Sequence, residues 1–514
     1  MKRLSTASIG LTVAGAVLWL TQAGAQTVGN WSTNRNDAGR AGVQKAETTI
    51  TKESLAKDFK FLWKLKLGKE TGALRSYSEP LLIFRLINSK GFKDFVIWSD
   101  TQTVYAVDSE LGSMLWEKHY DAAPAACAAS SVAMSMEPPL VINFGARRVP
   151  GQRPPTQQGP LAVNERRVGV AAGGGGFGLK GIYVLTADGY LHEQVITTGV
   201  DFAPPVKFVP GAVGVTKGLG LGGKVMYTTT AAPCAGAKNA LYAMDMTSAS
   251  YPVSTYDAKG VALLTTMGPT LGDGLAYVVT GKGVSDETAG VHANSVIALT
   301  PDAKVKAWYD AGGALRSVTP VAFAYQGKKL LAAPGKGGSL VLLDAEMPGG
   351  DDHHTVLAET TAIGGAVGAS DALSVWQDAS SGTTWLFASV HGAVGAATKF
   401  STSYGAATHG SIVAFKIEES GGKLSLTPQW MTKDMVNPAP PVIANGMVIA
   451  LAQGSPAMPA KLLVLDAANG KELYTSGKTI PTYAQGAGLS VGDGHVFFVT
   501  HEHTLYSFGI GIEH

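Results

Sequence analysis

The chain has 514 residues, 45% hydrophobic and only 16% charged, with 64 Gly and 25 Pro, so it can bury a large core and is dense in turns. Lys and Arg number 41 against 39 Asp and Glu, a net charge of +2, and no basic cluster is interleaved with aromatics; nucleic acid is not an expected partner. The two cysteines, Cys127 and Cys234, are too few for a disulfide scaffold, and neither a CxxC zinc pair nor a CxxCH haem site is present.

At the start of the chain Lys2 and Arg3 precede an apolar run from Ile9 to Leu20 and then Ala23-Gly24-Ala25. A charged, an apolar and a small-residue region in that order predict a signal peptide over 1–25, cut near Ala25/Gln26, and hence a periplasmic or secreted protein. A membrane anchor is the rival reading, but the run is shorter than the roughly 20 residues that span a bilayer. Residues 26–54 read as an N-terminal extension and 55–514 as a single domain.

The stretch Phe61-Leu62-Trp63-Lys64-Leu65-Lys66-Leu67 is a strand with no repeat of its own. Beyond it a unit of short β-branched runs and Gly, Asp or Asn turns recurs, clearest from Val96 to Trp116, where Val104-Tyr105-Ala106-Val107-Asp108 leads to Gly112 and then Trp116. A second clear copy carries Leu462-Leu463-Val464-Leu465-Asp466, Gly470 and Tyr474, with the same spacing of Asp, Gly and aromatic. Weaker third-strand copies are Leu191 to Gly199, Leu241 to Asp245, Val296 to Leu299 with Trp308, Leu340 to Asp344, Ile412 to Phe415 with Trp430, and Thr504 to Phe508. The closest spacing approaches the roughly 40–45 residues of a four-stranded blade. The expected fold is therefore all-β, an eight-bladed β-propeller in which seven blades also remain open. Glycine permits the tight turn between third and fourth strands, and the aromatic that follows packs between blades. Asp108, Gly112, Trp116, Asp466, Gly470 and Tyr474 are thus expected to dock neighbouring blades. The last unit supplies only three strands, so the strand around Trp63 is expected to complete it and remove an open edge.

The run Ala106-Val107-Asp108-Ser109-Glu110-Leu111-Gly112-Ser113-Met114-Leu115-Trp116 resembles the tryptophan-docking motif of pyrroloquinoline-quinone (PQQ) repeat propellers, with Val464 to Tyr474 a second, Tyr-ended match. The segment from Asn30-Trp31 through Arg40 to Leu62-Trp63-Lys64-Leu65, and the tail from Gly488 to Gly509, are similar to the ends of secreted PQQ-like propellers. The resemblance implies either a quinoprotein dehydrogenase, with PQQ at the propeller axis, a Ca²⁺ ion and an Asp general base toward an alcohol or sugar, or a non-catalytic scaffold. Against the first stand the missing adjacent Cys-Cys pair and the absence of matching positions for the metal-ligating Glu, Asn and Asp.

Loops between second and third strands, and the links between blades, share one face, where function is sought first. That face should carry Lys282, Asp286, Glu287 and His292, then Arg316, Lys336, His391 and His409, and finally His501 and His503. Arg316, Lys336, His391, His409, His501 and His503 are the candidate ligand-binding set, the two cations suited to a carboxylate. The competing reading is solvated loop residues. His501 and His503 lie on one side of a strand but lack an evident third metal ligand, and Asp351-Asp352-His353-His354 reads as a turn, so no metal site is assigned. Cys127 and Cys234 fall on the same face, as a disulfide or as two free thiols. Gly173 to Gly178 spells G-x-G-x-x-G but leads into a β-like run rather than a helix, so it reads as a loop and not as a dinucleotide site. The expected function is a monomeric binding module for a periplasmic protein, glycan or small molecule; the alternative is the PQQ-dependent oxidoreductase.

Overall fold

The computed structural model describes residues 29–67, 77–88, 91–121, 133–136, 181–210, 215–231, 238–265, 267–364, 369–484, 486 and 488–511. The signal-peptide segment, both cysteines and the Gly173 to Gly178 motif lie outside the described residues. Among the described residues the strands form eight sheets, each built on four antiparallel strands in chain order. Blade one comprises Leu81–Asn88, Gly91–Ser99, Thr103–Asp108 and Met114–His119; blade two comprises Ala133–Met136, Gly181–Leu185, Tyr190–Val195 and Val206–Lys207. Blade three holds Val215–Gly222, Val225–Ala231, Ala240–Asp245 and Val253–Asp257, and blade four Thr270–Gly272, Leu275–Val279, Ser295–Leu299 and Val305–Asp310. Blade five holds Val321–Tyr325, Lys328–Pro334, Leu340–Asp344 and Ala358–Glu359, and blade six Ala369–Gln377, Thr384–His391, Gly410–Ser420 and Lys423–Met431. Blade seven holds Val442–Ala444, Met447–Ala452, Lys461–Asp466 and Glu472–Thr475. In blade eight, Ser490–Gly492, His495–Thr500 and Thr504–Ile510 are completed by Phe59–Lys66, which pairs antiparallel with Thr504–Ile510. The ring is closed by strands from the two ends of the chain, and the first strand of blade eight packs on that of blade one. Every run expected as a third strand occupies that position.

The ring follows from side-chain alternation. In blade two Ile182 and Val184 point at Phe95 and Ile97 of blade one, while Tyr183 and Leu185 point at Met226 and Tyr242 of blade three. Both faces of a central strand are therefore apolar, and each can be buried only by a neighbouring blade. The same interleaving joins blades three to four, four to five, five through seven, and seven through eight to one.

Three tryptophans pin the outer rim. Trp63, Trp116 and Trp430 each lie on the third-to-fourth-strand turn of the next blade, donating from Nε1 to Ser109 O (2.9 Å), Ile196 O (2.7 Å) and Ala467 O (3.0 Å). In each case the indole covers a glycine three residues on, Gly112, Gly199 or Gly470, whose β-carbon would sit 2.6 Å from the ring. Asp108 and Asp466 shape two of these turns, each accepting main-chain N–H groups through Oδ1 while Oδ2 meets Lys93 (2.8 Å) or Lys52 (2.6 Å). Tyr474 packs edge-on against Phe59 at 4.8 Å, joining blades seven and eight. Trp308 differs: it stacks on the His353 ring of blade five at 3.5 Å instead of covering a glycine.

Gly470 (φ 75°) and Gly382 (φ 71°) share a left-handed backbone, but nothing lies within 4 Å of a β-carbon at Gly382. Gly382→Ala is expected to lose ~1 kcal/mol from backbone strain alone. Gly470→Ala adds overpacking against Trp430 and is expected to lose ~3 kcal/mol. Chemical denaturation of both variants checks the difference.

Candidate functional site

Residues 29–44 run through the centre of the ring, meeting the first strand of each of the eight blades in turn. Trp31 exchanges main-chain hydrogen bonds with Leu82 of blade one, and Ser32 O accepts from Met136 N of blade two at 2.7 Å. Thr33 Oγ1 donates to Leu219 O of blade three (2.9 Å). Ala38, Gly39, Ala41 and Gly42 then offer carbonyls to Leu271, Ala322, Val375 and Ile443 of blades four to seven, at 2.7, 3.0, 3.2 and 2.9 Å. Val43–Gln44 adds a parallel strand to Ile443–Ala444, and Gln44 Nε2 donates to Val491 O of blade eight (3.0 Å). Small residues permit this approach: a β-carbon at Gly39 would lie 2.8 Å from Ala322 O, and one at Gly42 would collide with the Arg35 guanidinium.

Two arginines and one carboxylate are buried in this centre. Arg35 donates from Nη2 to Ser374 Oγ (2.5 Å) and Pro441 O (2.6 Å) and from Nη1 to Pro440 O (3.3 Å). Arg40 donates to Pro269 O, Asn34 O, Thr33 Oγ1 and Leu219 O. Glu79 Oε1 accepts from Trp31 Nε1 (2.5 Å) and Arg35 N (2.7 Å). Burial pulls the Arg40 guanidinium down to about 10 and lowers Arg35 as well, both against the attraction of Asp37 and Glu79. Burial likewise pushes the Glu79 carboxyl up, against the pull of Arg35. The charges are held by main-chain dipoles and hydroxyls rather than by paired ions, an arrangement that fixes position.

The candidate set on the loop face stays in separate groups. Lys336 lies with its aliphatic stem over Gly313 in the link that also carries Arg316. His391 ends its strand opposite Gly410, next to His409 in sequence, and His391 Nε2 donates to Pro438 O (3.0 Å). His409 Nδ1 donates to Asp434 Oδ2 at 2.6 Å, which leaves its other ring nitrogen on the exposed side. His501 stacks on Tyr483 at 4.5 Å, and the buried His503 meets Tyr77 edge-on at 5.1 Å. His354 Nδ1 donates to Asp310 O (2.9 Å), so the Asp351 to His354 turn is committed to structure. Among the described residues no three His, Cys, Asp or Glu side chains are grouped to hold a metal.

What sequence reasoning missed is the central segment. Arg35 and Arg40 sit among Gly, Ala and Asn with no repeat signature, and only their burial reveals them; the sequence signal available was two arginines within a run of small residues.

No protein-family model matches the chain, and no curated protein matches it either. Solved structures do resemble it in fold. Quinohemoprotein alcohol dehydrogenase from Comamonas testosteroni superposes with a TM-score of 0.56 at 12% identity, over 96% of this chain and 82% of that one. Quinohemoprotein alcohol dehydrogenase ADHIIG from Pseudomonas putida HK5 gives 0.56 at 12%, over 95% and 81%. A europium-containing methanol dehydrogenase gives 0.54 at 11%, over 94% and 98%. The chain has the β-propeller fold of these quinoproteins. The two arginines at its axis do not fit a PQQ carboxylate, because the Arg35 and Arg40 Nη atoms are bonded to the protein's own carbonyls and hydroxyls at the level of the first strands.

Two measurements check this site. Partial burial alone would raise Asp434, but hydrogen bonds from the His409 ring and from the His409, Thr408 and Gly410 N–H groups outweigh it and bring it down to about 2. A depressed carboxylate stabilises the fold above its unfolded pKa of roughly 3.9 and loses that contribution as pH falls through the folded value. The stability gap between the protein and Asp434→Asn is therefore expected to be full at neutral pH and to close as pH falls from about 4 to about 2, as read by thermal melts across that range. Arg40→Ala removes the guanidinium donors from the Pro269 and Asn34 carbonyls and is expected to cost ~3 kcal/mol or more in denaturant titration.

Proposed function

We propose that this chain is a binding propeller of the periplasm or cell exterior, which holds a protein or glycan partner on the face formed by its second-to-third-strand loops and interblade links. The observation that carries this reading is the filled axis. With the ring centre occupied by residues 30–44 and the buried arginines committed there, a partner would dock on a face of the ring rather than in its axis. That face exposes large apolar side chains, Val284 at 86% and Met458 at 41%, beside polar groups such as His409 and Lys336. Apolar anchors with a polar surround suit a recognition surface. The fold shared with quinoprotein dehydrogenases keeps the oxidoreductase as the reading to be beaten, and the signal-peptide pattern supports export.

The test pairs substitutions at the two ends of the ring. In peptide and glycan arrays, Val284→Asp with Met458→Asp is expected to weaken the selected ligand at least tenfold. Leu111→Asp with Val200→Asp, on exposed third-to-fourth-strand turns at the opposite end, is expected to leave it unchanged. Stoichiometric binding of PQQ with Ca²⁺, seen as a cofactor-dependent rise in Tm, would overturn the proposal.

A further inference from the structure

We infer that the ring axis is a peptide-binding site for a looped segment of the pattern Trp, four residues to Arg, five residues to Arg, and that Trp31, Arg35 and Arg40 of the chain's own N-terminal segment are its resident occupant. The site recognises this segment as a receptor recognises a ligand. Glu79 takes the Trp31 indole and the Arg35 amide on one oxygen. Pro440 and Pro441 carbonyls with the Ser374 hydroxyl form one guanidinium seat. Pro269 and Leu219 carbonyls supply the ring's part of the second. Between these seats, first-strand N–H groups of four successive blades receive the segment's carbonyls. Main-chain bonds supply general affinity for the peptide backbone, and the side-chain seats set its sequence.

Three features separate the segment from the ring that holds it. Ring closure is made by Phe59–Lys66 on Thr504–Ile510 and does not pass through residues 29–44. The connection between segment and ring is exposed at Lys45, Ala46, Thr48 and Thr49. The segment is also a folded unit of its own, a loop closed by Asn36 N to Thr33 O, Arg40 N to Asp37 O and Gly42 N to Arg35 O, with Arg35, Asn36 and Arg40 at positive φ (62°, 72° and 62°). In the intact chain the tether keeps the occupant at an effective concentration on the order of mM, which excludes a competing peptide. A second copy's segment or another exported peptide of the same pattern would enter once the tether is released.

The test uses the full chain with a protease recognition sequence inserted between Lys45 and Ala46, folded and then cut. The cut segment is expected to stay with the ring through gel filtration and to be replaced, on incubation in excess, by a fluorescent synthetic peptide of residues 26–45. The same peptide carrying Arg35→Ala and Arg40→Ala is expected to compete at least a hundredfold more weakly. The inference is overturned if the cut segment leaves a ring whose Tm is unchanged, if the two peptides enter alike, or if neither enters. Binding of a loop-face ligand by the cut protein reads the earlier proposal separately, since the loops that carry Val284 and Met458 are not part of the axial seats.

Discussion

A blade with two apolar faces has no stable existence alone. Each central strand here sends alternate side chains into opposite neighbours, as Ile182 and Tyr183 do from blade two. The requirement that every such face be covered turns eight four-stranded sheets into a ring and compels the last sheet to take its outer strand from residues 59–66. The Trp-on-Gly contacts at Gly112, Gly199 and Gly470 then fix the angle between blades where the rim would otherwise splay.

Closing a ring of eight blades creates a second demand, at the axis. The first strands leave main-chain N–H and C=O groups facing the centre, and buried polar groups need partners. In this chain the N-terminal segment supplies them, using carbonyls for the strand N–H groups and two guanidiniums for the carbonyls at the strand starts. A cofactor could meet the same demand in a propeller of this fold. Here the chain meets it with its own residues, and a shared fold does not by itself carry a shared chemistry.

The parts of the molecule legible in sequence are those written as local patterns. The spacing of Asp108, Gly112 and Trp116 and of Asp466, Gly470 and Tyr474 marks a turn whose geometry depends on neighbours within a few residues, so blade positions could be read directly. Trp63 was legible as part of a closing strand but not as a docking residue, because no Asp and Gly precede it at the spacing that marks Trp116, and the glycine it covers, Gly112, lies on another blade. The loop-face candidates lie in second-to-third-strand loops and interblade links, yet nothing local indicates that His409 is held by Asp434 or that His503 is buried against Tyr77. The axial segment was the least legible element, since its partners, from Leu82 to Val491, are spread across the whole chain and its own composition is that of a loop.

The central claim is that residues 29–44 are built into the ring rather than trailing from it, and amide hydrogen exchange tests it most directly. Bonded to the ring or folded back on itself, as at Trp31, Arg35, Asn36, Arg40 and Gly42, this segment should exchange as slowly as the third strands of the blades. Exchange of the same amides within seconds, at the rate of an exposed linker, would contradict the account and reopen the axis to a ligand.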